Sequence, residues 1–153
     1  MVGAAVYGVS AGAWLGFVFG VVVTIAVVTG ADQGGYIMFS ARPVMTVLVC
    51  LIKGTAAGYV AGLLYRAIGK KHPLAGVIVA AAAAPVVNTG LFVLAMVLFY
   101  QPQLQAWAGG TAVATYIVTT LVGVNFLLEL GVNLVLSPTI TRLIAAGKKG
   151  PVD

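Results

Sequence analysis

Three polar side chains lie at regular spacing in the last long apolar stretch of the sequence. Asn125, Glu129 and Asn133 are four residues apart, so in a helix they share one face. An ionisable residue at the centre of a membrane span costs about 2.5–3.5 kcal/mol on insertion scales, and such residues generally have a functional role. The three side chains are therefore candidates for binding a polar substrate.

A lysine interrupts a second apolar stretch. Lys53 is about ten residues from either end of that stretch, or roughly 15 Å at the helical rise per residue. This distance is too long for its ammonium group to reach the membrane surface. Two interpretations remain open, because Lys53 can form a pair with Glu129 or can contact a bound anion.

A third polar group follows Pro85 within another apolar stretch. Proline removes one backbone hydrogen bond and frees a carbonyl group. We therefore expect a kink there, where Asn88 and Thr89 can contact a polar ligand if the freed backbone is buried or lines water. In the alternative interpretation, Asn88 bonds a neighbouring helix.

The composition indicates the surroundings in which these residues work. Of the 153 residues, 61% are hydrophobic and 7% are charged, whereas a soluble domain has about a quarter of its residues charged. The chain is therefore expected to be an integral, multi-pass protein of the cell membrane. Its net charge of +5 arises from cations just beyond the apolar stretches, which indicates membrane orientation rather than nucleic-acid binding.

The apolar stretches predict an all-α transmembrane bundle that forms a single membrane domain. The expected spans are about 3–31, 44–66, 73–100 and 111–144. Pro138 is expected to bend or divide the last of them. The basic residues follow the second and fourth spans, at Arg66, Lys70, Lys71, Arg142, Lys148 and Lys149. By the positive-inside rule both termini are cytoplasmic, and the connections 32–43 and 101–111 lie outside.

Several features have two interpretations at this point. Small residues recur at every fourth position from Ala4 to Gly20 and from Gly54 to Gly62, and they serve packing within the bundle or docking on a separate subunit. The connection 32–43, which is rich in glycine, is expected to be an ordinary loop or a gate. Trp107 is expected to anchor the chain at the water–lipid boundary or to cover a ligand.

The chain has no motif for enzymatic chemistry. It contains neither a phosphate-binding Gly-x-x-x-x-Gly-Lys-Ser/Thr sequence nor His-Glu-x-x-His, and Cys50 and His72 are its only cysteine and histidine. We therefore expect no catalysis and no cofactor of its own. A chain of this kind acts by ion coupling, by passive permeation, or with a motor that partner subunits supply.

Three segments resemble a known family. They are 51–66, with Lys53 and a glycine stripe; Pro-Val-Val-Asn-Thr-Gly-Leu-Phe at 85–92; and Gly-Val-Asn-Phe-Leu-Leu-Glu at 123–129. The chain is similar to the substrate-binding (S) components of energy-coupling factor (ECF) vitamin transporters, and most similar to the pantothenate-type members.

The resemblance implies a six-helix subunit of the bacterial plasma membrane that takes up a water-soluble vitamin from outside. Such a subunit joins a transmembrane coupling protein and two cytosolic ATPases, which hydrolyse the ATP. The four spans of this chain resemble the last four of the family. Either two further spans precede Met1, which is the interpretation we favour, or the coupling protein docks on another surface such as the Gly8–Gly20 stripe.

A pantothenate-like ligand would bring its carboxylate to Lys53. Its amide and hydroxyl groups would bond Asn88, Asn125 and Glu129. Asn133 lies one turn nearer the cytoplasm and is expected mainly to support packing.

Two other functions remain open. A small proton-coupled exporter would use Glu129 to bind a proton and a cationic substrate in turn, although Lys53 at a similar depth would repel cations. A membrane assembly subunit would use its glycine stripes for packing and would bind no small molecule.

Overall fold

The structure is a computed structural model that describes residues 2–148. Its description omits the side chains of Val2, Thr120, Leu121, Val122, Val124, Asn125, Leu128 and Lys148. The helices are α1 (Val2–Tyr7), α2 (Val9–Val28), α3 (Gln33–Ala41), α4 (Pro43–Ile68), α5 (Pro73–Phe99), α6 (Gln101–Ala108), α7 (Val113–Tyr116), a π-helical segment (Ile117–Val124) and α8 (Asn125–Lys148).

The expected fold class is confirmed in outline. Every regular element within residues 2–148 is helical. Four helical stretches are long and apolar enough to cross a membrane: Val9–Val28, Pro43–Ile68, Pro73–Phe99 and Glu129–Gly147. The chain is thus a membrane-embedded protein that spans the bilayer several times.

The first span, expected to be continuous over 3–31, is broken at Gly8. This glycine has a φ angle of 98° and a ψ angle of 174°, a conformation that is essentially restricted to glycine. Helix α1 therefore leaves the axis of α2, and it contacts α2, α4 and α8. Gly8 had been taken as part of a regular small-residue stripe, which gave no sign of the break.

Helices α2 and α4 pack through glycine residues on both sides. A Cβ atom at Gly12 would lie 2.7 Å from the carbonyl oxygen of Gly58, and one at Gly20 would lie 2.8 Å from that of Cys50. Gly16 and Gly54 approach each other's carbonyl oxygens in the same way. The two glycine stripes are therefore used within the chain, where the absence of side chains lets the helix backbones come close.

Two segments that were predicted to be external loops are helices. Asp32 caps the N-terminus of α3, because its Oδ1 accepts a hydrogen bond of 3.0 Å from the Gly35 N–H. On the inner faces of these short helices, Met38 of α3 and Leu104 of α6 are buried. Burial of these apolar residues, with Ala108 also buried in α6, together with the Asp32 cap, outweighs the glycines and proline that had favoured loops.

The prolines do not divide the long helices. Helix α5 continues through Pro85. Pro138 had been expected to bend or divide the last span, but α8 continues through it. The last span changes its geometry earlier instead, in the π-helical segment Ile117–Val124. Lys149 lies outside the described residues.

The buried apolar side chains form two clusters at opposite ends of the bundle. One cluster joins Tyr65, Val77 and Ile144 from α4, α5 and α8. The other joins Met38, Met96, Tyr100 and Leu104 near α3 and α6. The middle of the bundle, between these clusters, contains the polar residues.

Candidate functional site

A cavity of about 350 Å³ lies between α2, α3, α4, α5 and α8. Its volume is at the lower end of the roughly 300–1,000 Å³ that small-molecule sites occupy. The cavity is lined by four of the six residues that were predicted to bind substrate: Lys53, Asn88, Thr89 and Glu129. These side chains come from three helices, α4, α5 and α8.

Lys53 projects from the middle of α4 into this cavity. Its Nζ lies 5.1 Å from the centroid of the Phe92 ring on α5, within the distance at which a cation is attracted to an aromatic face. Phe92 also lines the cavity. The sequence had suggested Glu129 or an anion as the partner of Lys53, and it gave no indication of the aromatic ring.

Asn88 and Thr89 enter the cavity from α5, one turn before Phe92. The Asn88 Oδ1 atom is buried and has no hydrogen-bond partner within residues 2–148. An unpaired buried carbonyl oxygen is unfavourable, so a ligand that donates an N–H or O–H there would relieve its cost.

Glu129 lies between two cavities. It lines the first one together with Lys53. It also lines a second cavity of about 340 Å³, bounded by α2, α4, α5 and α8, together with Asn88 and Asn133. The polar residues of α8 therefore do not all line the same cavity, because Glu129 lines both cavities and Asn133 lines only the second.

Asn125 was the first choice for substrate contact on this face. Its side chain lies outside the described part of the structure, so its prediction stays a prediction. Its backbone begins α8 directly after the π-helical segment. Such π-helical insertions are frequent at functional sites.

The mouth of the cavity is formed by residues that were not predicted to bind substrate. Asp32, Gly34 and Gly35 line it at the start of α3, and Trp107 lines it from α6. A Cβ atom at Gly34 would lie 3.9 Å from the Trp107 ring, so α3 and α6 approach each other at these two residues. In the sequence, an aspartate two residues before a Gly-Gly pair gave no sign of a binding role.

Tyr100 holds the outer wall of the cavity in place. Its hydroxyl group lies 2.7 Å from the Thr46 Oγ1 atom, and Thr46 in turn donates a hydrogen bond of 2.9 Å to the Arg42 carbonyl oxygen. Tyr100 and Thr46 are both buried. Because the Thr46 hydroxyl is already bonded on both sides, it shapes the wall rather than binding a ligand.

Cys50, the only cysteine of the chain, lies on the cavity wall. It is buried and unpaired, and it lies one turn of α4 above Lys53. The sequence predicted a buried small side chain here, but gave no sign that it would face a cavity.

The charged groups on the cavity wall are one cation and two carboxylates. Lys53 is the only lysine, arginine or histidine among the described residues that line the cavity, and Asp32 and Glu129 are the acids. The remaining wall is largely apolar, with Val23, Val27 and Val49. Such a site is suited to a small polar molecule with an apolar portion and a negative charge near Lys53.

No family of proteins, no curated protein and no solved structure matches this chain.

Proposed function

We propose that the chain is the substrate-binding subunit of an ECF-type ABC importer and that it captures pantothenate. One observation carries this proposal. The three segments that resemble the S components each contribute to the same cavity: Lys53 from the first, Asn88 and Phe92 from the second, and Glu129 from the third. Residues at the matching positions thus meet in space, around a cavity of about 350 Å³.

The chemistry of the wall matches this substrate. Pantothenate carries one carboxylate, which suits the single cation at Lys53. Its amide N–H and its two hydroxyl groups are donors, and Asn88 Oδ1 and Glu129 are acceptors. Its geminal methyl groups suit the apolar wall formed by Val27 and Val49.

The charge distribution supports an orientation in a bacterial plasma membrane. Arg66, Lys70 and Lys71 are exposed at the end of α4 that is remote from α3 and α6. By the positive-inside rule that end is cytoplasmic, and so are both termini. The mouth between Asp32 and Trp107 then opens to the outside.

In this function the chain binds and releases the vitamin but hydrolyses nothing. A transmembrane coupling protein and two cytosolic ATPases supply the energy. The test is reconstitution of the tagged chain, purified with its partners from the native cell, into vesicles. We expect stoichiometric co-purification and pantothenate uptake that requires ATP and continues when the proton gradient is collapsed.

The position of Glu129 favours a second candidate function, a proton-coupled exporter. The Glu129 side chain is exposed in the second turn of α8 and lines both cavities, so it is open to proton exchange as the carboxylate of such an exporter must be. Transport that needs no ATP and stops when the proton gradient collapses would establish this candidate and exclude the importer.

A further inference from the structure

The packing of α2 against α4 shows where Lys53 and Asp32 lie along the axis of α2. Gly12 faces Gly58, and Gly20 faces Cys50, so the helices are antiparallel and Lys53 is level with the turn between Gly16 and Gly20. Asp32 lies beyond the end of α2, where its backbone N–H donates to the Ala26 carbonyl oxygen. About ten residues of α2 separate the two levels, which corresponds to roughly 15 Å.

Lys53 and Asp32 therefore lie at opposite ends of one cavity. Cys50, one turn of α4 from Lys53, also lines this cavity. The Lys53 end also contains the unpaired Asn88 Oδ1 atom and Glu129. The Asp32 end contains one carboxylate and no cation among the described lining residues.

This arrangement restricts how a substrate with one carboxylate can enter. With its carboxylate at the mouth, the substrate would face the like charge of Asp32, which is unfavourable. With its carboxylate at the inner end, it contacts the only cation of the wall. The other end of the substrate then faces Asp32. One Asp32 oxygen already accepts from Gly35 N–H, and the carboxylate retains further acceptor capacity.

We propose that Asp32 is a specificity-determining residue that binds the donor-bearing end of the substrate, while Lys53 binds its carboxylate. The inference rests on the proposed function and deepens it. The substrate class is an acid whose far end carries hydroxyl or ammonium groups, with an apolar middle. Acids with a second carboxylate at the far end are excluded by Asp32. For pantothenate, the inner end takes the β-alanine carboxylate and the mouth takes the hydroxyl groups.

The test compares three ligands by isothermal titration calorimetry on the intact chain. The first is pantothenate, and the second is pantothenol, in which a hydroxymethyl group replaces the carboxylate. The third is N-(3,3-dimethylbutanoyl)-β-alanine, which keeps the carboxylate and lacks both hydroxyl groups. The variants are Asp32→Asn and Lys53→Gln. Asparagine is also a good N-cap, so Asp32→Asn preserves the start of α3 while it removes the charge.

We expect Asp32→Asn to weaken pantothenate binding by about tenfold or more and to leave binding of the hydroxyl-free acid unchanged. We expect Lys53→Gln to weaken binding of pantothenate and of that acid, but not of pantothenol. If Asp32→Asn weakens the binding of both acids equally, Asp32 has only a structural role and the inference is wrong. If the folded wild type binds none of the three ligands, the proposed function fails and the inference fails with it.

Discussion

The Lys53 Nζ atom lies 5.1 Å from the centroid of the Phe92 ring, inside the cavity. A cation over an aromatic face gains about 0.5–2 kcal/mol, depending on how well it is desolvated. The ring thus helps to offset the cost of a charge at this depth, and it leaves the N–H donors of Lys53 able to bind an anion. Phe92 therefore stabilises the charged Lys53 side chain and leaves its positive charge able to bind the substrate carboxylate.

Replacing Lys53 by methionine should strongly weaken pantothenate binding. Hydrogen bonds to charged groups contribute about 1.5–3 kcal/mol, so the dissociation constant should rise by roughly 10- to 150-fold. Lys70→Met is the matched control, because Lys70 is exposed in the turn after α4. Equal affinity of Lys53→Met and wild type in a calorimetric titration would remove Lys53 from the site.

Cys50 provides a reporter of the cavity that needs no engineering. Since it is the only cysteine and lines the cavity, saturating pantothenate should slow its reaction with a maleimide several-fold. The control is a Gln105→Cys substitution in a Cys50→Ala background, at an exposed position of α6. Its labelling rate should not respond to the vitamin. Equal protection of both positions would indicate a general stabilisation rather than occupancy of the cavity.

The close approach of α2 and α4 should make Gly58 sensitive to a single methyl group. A Cβ atom there would overlap the Gly12 carbonyl oxygen, so we expect Gly58→Ala to lower the free energy of unfolding in detergent by about 1–3 kcal/mol. Gly131→Ala is the control, since a Cβ at Gly131 meets nothing within 4 Å. Similar stability of the two variants would mean that the helices are not packed as described.

The hydrogen bond between Tyr100 and Thr46 should be measurable by a double-mutant cycle. Tyr100→Phe and Thr46→Val each remove one hydroxyl group and preserve the shape of the side chain. The coupling free energy of unfolding should be about 0.6–1.7 kcal/mol, as for other hydrogen bonds between membrane helices. Strictly additive effects would contradict a direct bond between the two hydroxyl groups, which lie 2.7 Å apart.

The sequence predicted the parts of the fold that depend on long hydrophobic stretches and on the spacing of small residues. Four apolar helices follow directly from uninterrupted hydrophobic stretches, and the spacing of Gly12, Gly16 and Gly20 indicated close helix packing. The break at Gly8 could not be predicted, because a glycine in a stripe and a glycine with a positive φ angle look alike in sequence. The helices α3 and α6 depend on the burial of Met38 and Leu104, which is a tertiary effect.

Depth and charge together predicted part of the site. Lys53, Asn88, Thr89 and Glu129 were chosen because polar groups in apolar helices are costly, and all four line one cavity. Asp32, Cys50 and Phe92 were not assigned to the site, and Trp107 was considered as a ligand cover only as the alternative to a boundary anchor. They carry no such signal, since an aspartate in a connection and aromatic or small residues near a membrane have ordinary structural roles. Only the packing of α3 and α6 over the helix ends brings Asp32 and Trp107 to the cavity.

The most direct test of the central claim is a calorimetric titration of the purified wild-type chain with pantothenate. The cavity of about 350 Å³, with Lys53 on its wall, predicts saturable binding of one vitamin molecule per chain. A folded protein that shows no saturable heat with pantothenate would contradict the account.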